Sequence, residues 1–146
     1  IIVPRRRYAS AEKYKKVWTD KGSPLALNTF ALEAEVKSLL SSEWQVVTSM
    51  RYGQPSLKSV FEKYNLNDYE EVYFLPLYPQ FAQATVGSAV EKLYQVLSEM
   101  DVKEISKIRV VAPFYDQDWY IRAQGELIKS RLTPHDHLLF SYHGIP

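Results

Sequence analysis

After residue 43 the sequence repeats one order: a short apolar run, a helix-patterned stretch, then another apolar run. The runs fall at residues 44–50, 72–77, 107–112 and 137–142. They are rich in β-branched and aromatic residues, as strands are. Each intervening stretch is long enough to cross over from one strand to the next. A chain written this way predicts parallel pairing with right-handed connections, that is, an α/β fold. The expectation is a doubly wound parallel sheet of about four strands with helices on both faces. The run at 72–77 is almost continuously apolar, as expected for a strand covered on both sides.

The helical stretches are read from spacing and punctuation. Ser10 is placed to cap a helix over 11–21, with Ala11, Tyr14, Val17 and Trp18 on one face and Gly22 as its stop. Ser23-Pro24 is read as a break, followed by a helix over 28–41 carrying Leu32, Val36, Leu39 and Leu40. Arg51 to Pro55 reads as a loop. Ser56 then opens a short helix with Leu57, Val60, Phe61 and Tyr64. The strongest periodicity spans 85–100, where Val86, Ala89, Val90, Leu93, Val96, Leu97 and Met100 share a face. A last helix over 119–132, capped by Asp118, turns Ile121, Leu127, Ile128 and Leu132 inward.

Composition narrows the function classes. With 146 residues the chain fits a single domain and can bury roughly 70% of the surface its unfolded form exposes. Eighteen basic against 17 acidic side chains give a net charge of +1, which argues against a dedicated nucleic-acid binder. The absence of cysteine excludes disulfides, thiolate metal sites and cysteine nucleophiles within this chain. The chain starts Ile1-Ile2-Val3-Pro4 without a methionine and ends on Gly144-Ile145-Pro146 directly after an apolar run. No signal-peptide pattern follows the start, and the expectation is a piece of a longer protein.

In parallel α/β sheets, ligands bind beyond the carboxyl ends of the strands. Four segments stand there: Arg51-Tyr52, Tyr78-Pro79-Gln80-Phe81 with Thr85 to Ser88, Phe114-Tyr115-Asp116, and His143-Gly144. Together they hold several rings, one arginine, one histidine and few carboxylates. Such a mouth suits a flat apolar ligand with anionic groups: rings pack on its faces, and Arg51 pairs with a carboxylate or phosphate. His143 is the one group there that titrates near neutrality and can ligate a metal. Taken singly, a strand-end Tyr is more often packing and a turn Arg more often solvated. A lone His is more often a hydrogen-bonded structural residue. His135 and His137 flank Asp136 in what reads as a solvated turn rather than a metal site. Arg5 to Arg7 reads as a solvated basic run. Thr85 to Ser88 opens a helix but lacks the glycines of a phosphate loop, so nucleotide binding is not expected.

Two strings carry a family resemblance. Leu75-Pro76-Leu77-Tyr78-Pro79-Gln80-Phe81, followed by Thr85-Val86-Gly87-Ser88, resembles a motif of ferrochelatases. Ser141-Tyr142-His143-Gly144-Ile145-Pro146 resembles a second motif of the same family. Tyr14, Trp18, Gly22 to Leu25 and Met50 to Gly53 match in order, so the resemblance covers essentially the whole chain, in its bacterial spelling. It implies a lyase of haem biosynthesis that inserts Fe²⁺ into a porphyrin, protoporphyrin IX or coproporphyrin. It also implies that residues 1–146 are part of the N-terminal half of a two-domain enzyme, without the opening strand and the C-terminal half. The half-domain with no catalysis of its own is an alternative, as is a small single-domain chelatase of the cobalt-inserting type. By resemblance, His143 is the metal ligand or the acceptor of a pyrrole proton. Arg51 lies near the propionates, Tyr52 beside it is counted among the substrate-binding residues, and Tyr78 lines the cleft. Phe81 to Ala84 departs from the family's usual small hydroxyl or thiol residues. Fe²⁺ is a substrate here. No cofactor is required by this chain, and an iron–sulfur cluster elsewhere in the parent is left open. The location implied is cytoplasmic, with at most peripheral contact with the inner membrane, and no oligomeric state is implied.

Overall fold

The computed structural model describes residues 8, 11–100, 102 and 105–141. The expected cap at Ser10 lies outside these residues, as does His143. The chain divides into two compact units, Ile1–Ser56 and Leu57–Pro146.

In the first unit the helix at 11–15 stops earlier than its periodicity suggests. The chain reverses instead through Thr19 and Gly22, whose backbone groups exchange hydrogen bonds of 3.0 and 2.9 Å. Gly22 takes φ +117°, a conformation open to glycine at no steric cost, and the Thr19 hydroxyl also donates to its carbonyl. Ser23-Pro24 does not break the chain but starts the next helix, α1 (Pro24–Leu39). Ser23 is extended and its Oγ accepts from the Ala26 N–H at 3.4 Å, while Pro24 occupies the first turn. A proline there loses no hydrogen bond and arrives with its φ already helical. The expected start at residue 28 was therefore too late. No residue of α1 is buried.

The stretch expected as the first strand, 44–50, runs without a ladder. Only Met50 pairs, in a single parallel bridge with Ser56. Its N–H donates to the Pro55 carbonyl at 2.7 Å and closes the 51–54 loop, which turns at Gly53 with φ +92°. The Gln54–Pro55 peptide bond is cis. Glu33 of α1 accepts the Thr48 N–H at 2.8 Å and so ties this segment to the helix.

The second unit holds the sheet and the core. Helix α2 (Leu57–Lys63) is followed by β1 (Val72–Phe74). A π-helical turn at Gln83–Gly87 runs directly into α3 (Ser88–Glu99). Then come β2 (Ile108–Val110) and α4 (Asp118–Lys129). β1 and β2 pair in parallel, Val72 opposite Ile108 and Phe74 opposite Val110. The core is built by Leu57, Val60 and Phe61 of α2, Val86 of the π-helical turn, and Ala89, Leu93, Val96 and Leu97 on the face of α3 that the periodicity marks. Leu93, Val96 and Leu97 are inaccessible to solvent.

The sheet is smaller than expected: two parallel strands among the described residues, in a mixed α/β unit. β1 stops at Phe74 because Pro76 has no N–H to give a ladder. Residues 137–141 are exposed and unladdered, and Tyr142 lies outside the described residues. Tyr73 and Arg109 stand side by side on an exposed sheet face rather than under a helix. Apolar runs signal burial, whereas a strand also needs a backbone partner, and a sequence pattern does not supply one.

Candidate functional site

The two strands of the second unit end side by side, and their exits are fastened together. The Val111 N–H donates to the Phe74 carbonyl at 2.9 Å, just past the ladder. Farther on, the Pro79 carbonyl accepts the N–H groups of Phe114 and Tyr115, at 2.9 and 3.1 Å. This oxygen uses both lone pairs, so the Tyr78–Pro79 turn and the Phe114–Tyr115 turn are fastened to each other at one atom. Pro76 is buried beneath the exit, while Tyr78 and Phe81 stay exposed.

On the β2 side the first turn of α4 folds back over the strand exit. Trp119 stacks on Phe114, with ring centroids 5.4 Å apart and planes 25° apart. Tyr120 meets both rings edge-on, at 5.4 and 6.0 Å. These are the offset and T-shaped arrangements that ring quadrupoles favour. Phe114 and Tyr115 are expected at this exit from the sequence, whereas Trp119 and Tyr120 are not. Their signal was available: aromatic residues in the opening turn of a helix lie within reach of the strand exit just before it.

On the β1 side the exit leads into the π-helical turn. The Thr85 hydroxyl donates to the Ala82 carbonyl at 3.2 Å and helps to close it. A Cβ at Gly87 would stand 2.7 Å from Gln83 Oε1, so glycine here lets the Gln83 side chain fold back over the turn. Residue 83 thus has a packing role, at a position where the sequence departs from the resembled motif.

Arg51 and Tyr52 belong to the first unit. The Arg51 guanidinium lies 4.5 Å from the centroid of the Tyr52 ring, within cation–π range. Arg51 is half-buried and Tyr52 is 78% exposed. The structure thus brings the Arg51 guanidinium onto the Tyr52 ring in the first unit and, in the second, ties the Tyr78–Pro79 turn to the Phe114–Tyr115 turn through the backbone.

Away from the strand exits, Glu71, Tyr73 and Asp136 are shifted by local contacts. Glu71 is held below the usual carboxylate range by the hydroxyl of Tyr73 and by Arg109, and the same carboxylate pushes the Tyr73 phenol up. Glu71 lies at the start of β1, at the opposite end from the exits. Asp136 accepts the Thr133 N–H at 2.6 Å, which lowers its pKa and confirms that residues 133–136 form a turn. Among the described residues no three metal-ligating side chains converge, and no helix is long and apolar enough to cross a membrane.

The ferrochelatase family model matches residues 1–146. A ferrochelatase of Legionella pneumophila (strain Philadelphia 1) is 38% identical over 146 residues, all of this chain and 43% of the relative. Ferrochelatases of Pseudomonas syringae pv. tomato and Opitutus terrae are 36% and 38% identical, each matched by the whole chain over 42% of its own length. The chain therefore spans less than half the length of these relatives. No solved structure gives a significant match. A family match over every residue, together with an aromatic mouth where parallel strands end, places the assignment beyond motif spelling: the chain belongs to the ferrochelatase family.

Proposed function

We propose that this chain supplies one wall of the porphyrin cleft of an Fe²⁺ chelatase in haem biosynthesis. The observation that carries the reading is the family match along all 146 residues. The fastened strand exits support it, because they present rings at the place where α/β sheets take ligands.

In this reading Tyr78 packs on a face of the macrocycle. Arg51, whose guanidinium is steadied by the Tyr52 ring, is by resemblance a partner for a propionate. Contacts on the rings and propionates hold the macrocycle out of plane, so that a pyrrole lone pair faces the incoming ion. The reaction exchanges two pyrrole protons for one Fe²⁺. Each N–H bond breaks with its electron pair left on nitrogen, and those pairs form the bonds to iron. His143 serves as a ligand that delivers the ion or as the base that takes a proton, roles open to an imidazole near neutral pH. The protein works in the cytoplasm, with at most peripheral contact with the inner membrane.

A second reading is a porphyrin-binding half-domain that does not itself metallate the ring. Anaerobic Fe²⁺ insertion, followed by loss of porphyrin fluorescence, separates the two. Turnover by the protein expressed from its complete reading frame supports the chelatase. Binding without turnover supports the second reading, and absence of both removes the porphyrin assignment.

A further inference from the structure

The Phe114–Trp119 stack is the one rigid aromatic group at the strand exits, among the described residues, that the motif strings leave out. It adjoins Tyr78 through the shared Pro79 carbonyl. Phe114 covers one side of the indole, yet Trp119 remains 60% exposed and Tyr115 51% exposed. Tryptophan is highly buried on average. An indole locked by a stack and an edge-on tyrosine, and still largely open, is a preorganised surface: its side-chain entropy is already lost before a ligand arrives. The stretch from Phe114 to Tyr120 also carries two carboxylates, Asp116 and Asp118, and no cation. Carboxylate-bearing edges of a ligand are repelled there, whereas its apolar edge is not.

We propose that Trp119 and Tyr115 form a second aromatic wall beside Tyr78 that receives the apolar edge of the macrocycle and turns its propionates away. The wall sets which way round the porphyrin enters. This inference rests on the porphyrin reading above, and the test separates the two.

The chain is labelled with fluorotryptophan and titrated with deuteroporphyrin IX, with binding followed by the Soret band. The three indole resonances are assigned with Trp18→Phe and Trp44→Phe. A macrocycle stacked on Trp119 shifts its fluorine resonance through the porphyrin ring current, which acts only at close range. In the unlabelled chain, Trp119→Leu weakens binding roughly fivefold to tenfold, and Trp119→Phe recovers most of the loss. A Soret shift with an unmoved Trp119 resonance overturns the wall and leaves the porphyrin reading standing. No Soret shift at any concentration overturns both. The resonance is read in the unsubstituted chain, so poor folding of the leucine variant cannot imitate either result.

Discussion

The N–H of Phe114 donates to the carbonyl of Pro79 at 2.9 Å and fastens the exit of β2 to the exit of β1. The bond is backbone to backbone, so it survives side-chain replacement on either turn. It lets Tyr78 and the Phe114–Trp119 stack act as one surface, although 35 residues separate Pro79 from Phe114.

Arg51 gives the first prediction. If its guanidinium pairs with a propionate, Arg51→Leu raises KM for a porphyrin dicarboxylate about 10- to 100-fold, the value of a charge-assisted hydrogen bond. For the corresponding dimethyl ester the wild type and the variant converge, because the ester carries no charge to lose. Tyr52→Leu has a smaller effect, about two- to fivefold, since it removes only the ring beneath the cation. Steady-state kinetics on acid and ester side by side checks this.

Much of the second unit was legible because its signals were redundant. Leu93, Val96 and Leu97 repeat at helical spacing and are the most buried residues in the structure. The strands expected at 72–77 and 107–112 are there but shorter, Val72–Phe74 and Ile108–Val110, because apolar character continues past Pro76, which has no N–H to extend the ladder. At 44–50 and 137–141 the apolar pattern stands without a ladder, since pairing depends on a neighbour that no local pattern encodes. The start of α1 was legible in principle: Ser23-Pro24 is a cap followed by a first-turn proline, and its reading as a break gave the proline too much weight. Of the candidate site, Tyr78 and Arg51 stand in the motif strings, whereas Trp119 stands outside them and is marked in the sequence only as an aromatic residue in the opening turn of α4.

Leu93 tests the core. It is inaccessible to solvent and sits where α3 faces α2. Leu93→Ala costs about 2–5 kcal/mol, lost transfer energy plus the cavity left behind. Urea unfolding shows a lower midpoint, with Tyr94→Ala, on the exposed side of the same helix, close to wild type.

Ser23 tests the cap. Its Oγ accepts the Ala26 N–H at 3.4 Å, a long bond, so Ser23→Ala costs about 0.5–1 kcal/mol, near the low end for caps. Ser23→Asp keeps an acceptor and places negative charge at a helix N-terminus, so it matches or exceeds wild type. Urea midpoints of the three chains decide the order.

Glu33 gives the pH dependence. Burial pushes its carboxyl up, but hydrogen bonds from Lys37 and Thr48, with the Lys37 charge, outweigh this and hold the pKa below the ordinary 4.5. The unfolded chain therefore takes up the proton first as pH falls. The stabilisation is fully present above the ordinary value and is lost as pH drops through the folded one. Glu33→Gln lowers the urea midpoint at neutral pH, and the gap to wild type closes below the folded pKa. A gap that persists in acid contradicts the assignment.

The proposed porphyrin metallation depends on His143, and Zn²⁺ insertion into deuteroporphyrin IX, read as zinc-porphyrin fluorescence, tests that dependence. It uses the protein expressed from its complete reading frame, as wild type and as His143→Ala. The expected result is turnover by the wild type and a loss of at least about 100-fold in the variant, the usual contribution of a positioned acid–base group, with porphyrin affinity little changed. Turnover that survives in His143→Ala, or a wild type that binds porphyrin and leaves it metal-free, overturns the proposal.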